Sequence, residues 1–174
     1  MIEDATGRLF LDFSCGKLQQ LSSRLDTCLA QLSQEQVWAR SGKHENAVGN
    51  LVLHLCGNVH QWIIASIGGE PDTRHRDDEF STIGGITTEE LRDRLSATIT
   101  RAIALIGDLS TRRLSNRMLI QGYDVSVLDA IYHVVEHFAM HAGQIIFITK
   151  RLTGRALHFK RDLESVIRYR RQTP

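Results

Sequence analysis

Val125-Ser-Val-Leu-Asp-Ala-Ile-Tyr-His-Val-Val-Glu-His-Phe-Ala-Met-His-Ala-Gly-Gln-Ile-Ile-Phe-Ile-Thr-Lys-Arg-Leu152 carries apolar residues at three- and four-residue intervals. It contains no proline, and its one glycine is Gly143. That pattern predicts one long helix. Successive residues turn about 100° around a helix axis. His133, His137, His141 and Gln144 therefore share one narrow stripe, which Ala130 and Ile148 continue. Histidines four residues apart stack on one face and can address a single metal ion. Gln144, a turn further on, is placed to touch the metal's outer sphere or a substrate atom.

A metal needs a ligand from elsewhere, and the best candidate is His54. It lies in Asn50-Leu-Val-Leu-His-Leu-Cys-Gly-Asn-Val-His-Gln-Trp62, a second helical pattern, apolar on most sides. Asn50, His54, Asn58 and Gln61 form its polar stripe. Polar groups inside an apolar helix need partners, which suggests a cavity inside a bundle. Cys56 is two residues from His54, a turn of about 200°, so its thiol points away from the stripe.

The rest of the chain supplies two more long helices. From about Thr6 to Leu32, leucines and Cys28 recur at helical spacing, with Gly16 inside at a cost of about 1 kcal/mol. Ser33 to Asn46 reads as a polar connector, long for a bundle turn. The second helix runs from about Ala47 to Ile67 and ends at Gly68-Gly69. Glu70 to Gly85, with a proline, mixed charge and two glycines, reads as a mostly solvated loop. Thr87-Thr-Glu-Glu90 opens a third helix that continues to about Leu109. Thr111 to Asp124 reads as a connector, with Arg117 to Gln121 a short extended piece. A basic segment, Lys160 to Arg171, reads as a short C-terminal helix with a solvated face. These patterns predict an all-α fold, a four-helix bundle of one domain without convincing strands.

Composition narrows the functional classes. With 42% hydrophobic and 24% charged residues, the chain is ordinary for a globular protein. A net charge of +1 gives no electrostatic case for nucleic acid or an anionic membrane surface. No apolar run approaches the roughly 20 residues needed to span a bilayer. Met1-Ile-Glu-Asp-Ala lacks a signal peptide's charged-then-apolar order, so the expected location is cytoplasmic. Cys15, Cys28 and Cys56, odd in number and not closely paired, fit reduced and buried thiols.

The motif His137-Phe-Ala-Met-His141-Ala-Gly-Gln-Ile145, preceded by His54 in the second helix, resembles the DinB-like superfamily. His54-Leu-Cys-Gly-Asn58 and Arg76-Asp-Asp-Glu-Phe80 resemble an uncharacterised branch of it. The resemblance covers nearly the whole chain in helix order. It implies a four-helix bundle with long connections, often a homodimer. It also implies a divalent metal held by three histidines, which by position are His54, His137 and His141. Relatives of defined activity use low-molecular-weight thiols, as in mycothiol- or bacillithiol-dependent transferases and isomerases. Others have no known reaction, and the superfamily is linked by name to DNA-damage induction.

Neutral imidazoles suit zinc, nickel, iron and copper. Three protein ligands leave open positions, the pattern of catalytic zinc sites. Such a site can lower the pKa of a bound water or thiol. Asn50, Asn58, Gln61 and Gln144 would then orient polar groups, and His133 would touch the metal or its substrate, or else stand behind the ligands or at an interface. Tyr132 and Glu136 point away from the stripe and are assigned no acid or base role. The first reading is a metal-dependent, thiol-using transferase acting on a small molecule. The second is a metal-containing small-molecule-binding or stress-response module without catalysis. The third is a metal-free helical interaction protein. The second helix is apolar nearly all round, which calls for coverage from the bundle or from a second subunit.

Overall fold

The computed structural model describes residues 4–42 and 44–159. Four long helices dominate: α1 (Ala5–Leu29), α3 (Val48–Val59), α5 (Thr88–Gly107) and α6 (Val127–Thr153). Two short helices lie between them, α2 (Gln34–Trp38) and α4 (Arg76–Ser81). α1 packs on α5 and α6, and α3 packs on the same two helices, so the four close around one core. Leu11, Leu18 and Leu25 of α1 meet Leu91, Leu95 and Ile99 of α5 and Ile131 and Phe138 of α6 in that core. Burying each such side chain contributes roughly 1.5–3 kcal/mol. No helix among the described residues is long and apolar enough to cross a membrane.

Local chemistry sets the helix ends. Asp4 accepts hydrogen bonds from the Thr6 and Gly7 amides at the start of α1. Thr87 with Glu90, and Ser126 with Asp129, form capping boxes at α5 and α6. These satisfy amides that the first turn of a helix leaves without partners.

The chain departs from its periodicity in the connections. α1 stops at Leu29, short of the expected Leu32. The polar connector after it contains α2, nucleated by a capping box between Ser33 and Gln36. Trp38 at the end of α2 lies flat on α3 at Gly49, where a Cβ would come within 2.7 Å of the indole ring. The second helical pattern is not α-helix throughout. From His60 to Ala65 it widens to a π-helix that continues α3. π-turns inside helices are frequent at functional sites.

The Glu70–Gly85 stretch is not a solvated loop throughout, because it contains α4, which packs on α3. Asn50, fully buried, is the latch. Its amide donates to the Glu79 and Thr82 carbonyls at 2.9 and 2.7 Å. Its oxygen accepts from the Ala47 amide and the Arg40 guanidinium.

β1 (Arg117–Ile120) and β2 (Tyr123–Ser126) pair antiparallel, with Arg117 opposite Ser126 and Ile120 opposite Tyr123. The extended piece expected at Arg117 is the first of these strands. Gln121 and Gly122 turn the hairpin with φ of 53° and 82°, as a tight two-residue turn requires. The architecture is all-α with this one small hairpin. The expected helix at Lys160 to Arg171 lies outside the described residues.

Candidate metal centre

α3 and α6 face each other across the bundle, and their histidines meet there. His54 Nε2 is 3.1 Å from His137 Nε2, and His141 Nε2 is 3.2 Å from the same atom. Each of the three offers a ligand atom within 4.8 Å of the others. Two imidazole nitrogens bound to one ion at about 2.0–2.1 Å stand about 3 Å apart. The spacing therefore suits a shared ion.

The hydrogen bonds behind the rings decide which nitrogens face inward. Glu79 Oε2 lies 2.8 Å from His54 Nδ1 and can only accept, so that nitrogen carries the proton. His141 Nδ1 likewise donates to Gln144 Oε1 at 2.7 Å. Both Nε2 atoms are then left with lone pairs directed at His137. A proton on His137 Nε2 can point at one of them, which leaves the other without a partner. A cation meets all three lone pairs at once.

Burial keeps His137 and His141 neutral. Desolvation, with the neighbouring His141, His54, His133 and Arg74 adding to it, pushes His137 down to about 3. Burial also lowers His141, opposed by the hydrogen bond it donates to Gln144. Neutral imidazole is the form that binds metal.

His54 is held by a chain of polar groups that begins on the α3–α4 connection. Arg74 donates to Glu79 Oε1 through Nε at 2.7 Å and to Oε2 through Nη2 at 2.9 Å. Arg74 Nη2 also approaches His54 Nδ1 at 3.2 Å. Both are donors, so the contact is two donors converging on one carboxylate oxygen. Gln61 braces the arginine from behind, accepting from Nη1 at 3.0 Å while donating to Asp72. Gln121 from the hairpin turn donates to the same Gln61 oxygen. Glu79 is buried, which raises its pKa. The hydrogen bonds from Arg74 and His54 outweigh that, so it stays below the usual carboxylate range. The carboxylate can approach because residue 57 is glycine: a Cβ there would lie 1.9 Å from Glu79 Oε1.

On the other side of His137, the His133 ring stacks on Trp62, centroids 4.2 Å apart. Asn58 Nδ2 reaches His133 Nε2 at 3.5 Å, a marginal contact. Asn58 Oδ1, Trp62 Nε1 and His137 Nδ1 are buried without a hydrogen-bond partner. Burial lowers the His133 pKa.

The sequence candidates therefore separate. His54, His137 and His141 converge, with Gln144 directly behind His141. Asn58 and His133 border the cluster. Asn50 and Gln61 do not, because their amides are engaged in holding α4 and Arg74. Periodicity does not reveal Glu79, Arg74 or Trp62 as neighbours. One signal was present, a glycine inside an apolar helix one turn from His54, which marks a close approach. The three thiols play no part. All are free, and burial pushes Cys15 up to about 11 and Cys56 up to about 12.

Comparison with known proteins places this arrangement. A family model described as a protein of unknown function, DUF1572, matches residues 5–160. The structure is similar to that of a conserved protein from Enterococcus faecalis, with a TM-score of 0.68 and 16% identity, covering 82% of this chain and 96% of that one. It is also similar to a DinB-like protein from Bacillus cereus, with a TM-score of 0.64 and 13% identity over 80% of this chain and 90% of that one. At such identities the likeness concerns the fold. No curated protein matches the chain.

Proposed function

The chain belongs to the DUF1572 family and has a DinB-like fold, and on that premise we propose that it holds one divalent transition-metal ion through His54, His137 and His141. The observation that carries this is the convergence of three Nε2 atoms, two of them fixed in tautomer by Glu79 and Gln144. An all-imidazole set suits zinc, nickel or iron. When bound by three protein ligands, such an ion supplies a Lewis acid with open positions that favours a thiolate or hydroxide at neutral pH.

The protein's own groups then do the following. Glu79 and Arg74 hold the His54 ring in its angle and tautomer, as partners behind metal ligands commonly do. Gln144 does the same for His141. The unpartnered Asn58 oxygen and Trp62 N–H offer one acceptor and one donor around His133, which borders His137, and a polar substrate group can be oriented there. Burial keeps the His137 ring neutral.

The activity we favour is thiol-dependent transfer on a small molecule in the cytoplasm. Metal-loaded protein, purified without an affinity tag, should consume thiol when given a panel of cellular thiols and carbon electrophiles. The His137→Ala variant should not. No consumption across the panel by metal-loaded protein would defeat this reading.

The alternative is a metal-containing binding or stress-response module, and one observation favours it. Glu79 is committed to Arg74 and His54, while Tyr132 and Glu136 are exposed on the flank of α6. Among the described residues, His133, whose pKa burial lowers, is then left as a weak base bordering the cluster. Saturable binding at the metal without consumption would support this second reading.

We also propose that the protein acts as a homodimer. The support is an exposed side of α6 bearing Leu128 and Tyr132, with the small residues Ala139 and Gly143 further along the same side.

A further inference from the structure

The histidine stripe of α6 does not end at the metal centre. It runs on through Gln144 and Ile148 to Arg151 and forms one wall of a cavity of about 390 Å³. The opposite wall is the connection from α2 to α3, with Ser41, Glu45 and Asn46, and Leu51 of α3 also lines it. That volume lies in the range of small-molecule sites, roughly 300–1,000 Å³. Gln144 belongs to both places. It lines the cavity, and its Oε1 takes the proton of His141 Nδ1 at 2.7 Å.

Three features define what the cavity suits. Phe147, Ile148 and Leu51 give it an apolar middle. Phe147 is 61% exposed, a large apolar surface left open beside the cavity. Arg151 stands at the far end and has no hydrogen-bond or ion-pair partner among the described residues. Glu45 lines the same cavity yet makes no ion pair with Arg151. Its Oε2 accepts from the Ser41 amide instead. The guanidinium is thus left for a ligand. Arg151 is also in the last turn of α6, where a cation offsets the helix dipole. Seven residues separate Gln144 from Arg151, so the two ends share a face about 10 Å apart.

We propose that this cavity binds the substrate of the metal centre, and that the substrate is an elongated amphipathic carboxylate. Its acid group pairs with Arg151, its apolar body lies on Phe147, Ile148 and Leu51, and its other end reaches Gln144 beside the histidines. The proposal rests on the metal-centre reading for the word substrate. The binding itself does not.

The test uses 4-phenylbutyrate and its neutral amide as probes, titrated by calorimetry into full-length wild type, Arg151→Gln and Ile148→Trp, with metal content measured on the same samples. The acid is expected to saturate at one per chain, and the amide to bind at least about tenfold more weakly. Arg151→Gln should lose at least about tenfold for the acid and little for the amide. Ile148→Trp should block both by filling the cavity. Arg151 is exposed, so its replacement keeps the test open should the tryptophan variant fail to fold. Acid and amide binding alike, affinity unchanged in Arg151→Gln, or no binding of the acid to metal-loaded wild type would overturn the proposal. Binding through Arg151 in protein that holds no metal would uphold the cavity and defeat the metal centre instead.

Discussion

Glu79 is the residue on which the His54 ring depends, and Gly57 is what lets it come close. The Glu79→Gln variant keeps an acceptor for His54 Nδ1–H but loses the charge that Arg74 grips. We expect zinc affinity to fall about 10- to 100-fold, the usual consequence of disturbing a partner behind a metal ligand, measured by competition with a chromophoric chelator. Affinity equal to wild type would show that the carboxylate does not support the site. Gly57→Ala should weaken zinc by a similar factor, because its Cβ would occupy the place of Glu79 Oε1. His137 and His141 were legible in the sequence because four residues make about one helical turn. His54 was legible as the histidine of a polar stripe on an apolar helix. Glu79 was not, because it arrives from 25 residues away along a charged stretch whose composition matches a solvated loop.

The elements divide in the same way. Four long helices announce themselves because three or more turns repeat the apolar period. α2 and α4, with 5 and 6 residues, are too short to show a period, and the hairpin strands have 4 residues each. The π-helical segment has the same composition as the α-helix it continues. Only tertiary contacts separate Gln61, which braces Arg74, from the metal-facing stripe. α4 is held to α3 largely through Asn50. Asn50→Ala would leave the Glu79 carbonyl without its donor and the Ala47 amide without its acceptor, while Arg40 still serves the Thr82 carbonyl, at about 1–3 kcal/mol for each buried group left unsatisfied. We expect a loss of about 2–4 kcal/mol in urea unfolding, with weakened zinc binding because Glu79 rides on α4. A loss below about 0.5 kcal/mol would mean that α4 is held elsewhere. For α6, Tyr132→Glu should shift the protein to monomer in sedimentation velocity at micromolar concentration. A wild type that is already monomeric there would remove the dimer.

At the scale of the whole molecule, the cluster ties stability to pH and to metal. The folded pKa of His137, about 3, lies below the ordinary value of 6.5. The unfolded chain therefore binds a proton that the folded chain refuses. The resulting stability is fully present above about pH 6.5 and is lost as pH falls from there toward 3. Glu79 adds to the loss at the acid end, since its lowered pKa means a native carboxylate that must be protonated. Metal-free wild type should lose stability over this window in denaturant titrations, and His137→Phe should lose less. Identical pH profiles would count against a buried neutral imidazole. A metal that binds only the folded chain should add about 2.7 kcal/mol when present at a hundredfold excess over its Kd, and a chelator should remove that increment.

The most direct measurement is elemental analysis of untagged protein, comparing wild type with His54→Ala, His137→Ala, His141→Ala and His133→Ala. Wild type and His133→Ala are expected to hold close to one divalent transition-metal ion per chain, and the other three close to none. Equal metal content in wild type and His137→Ala would contradict the three-histidine centre.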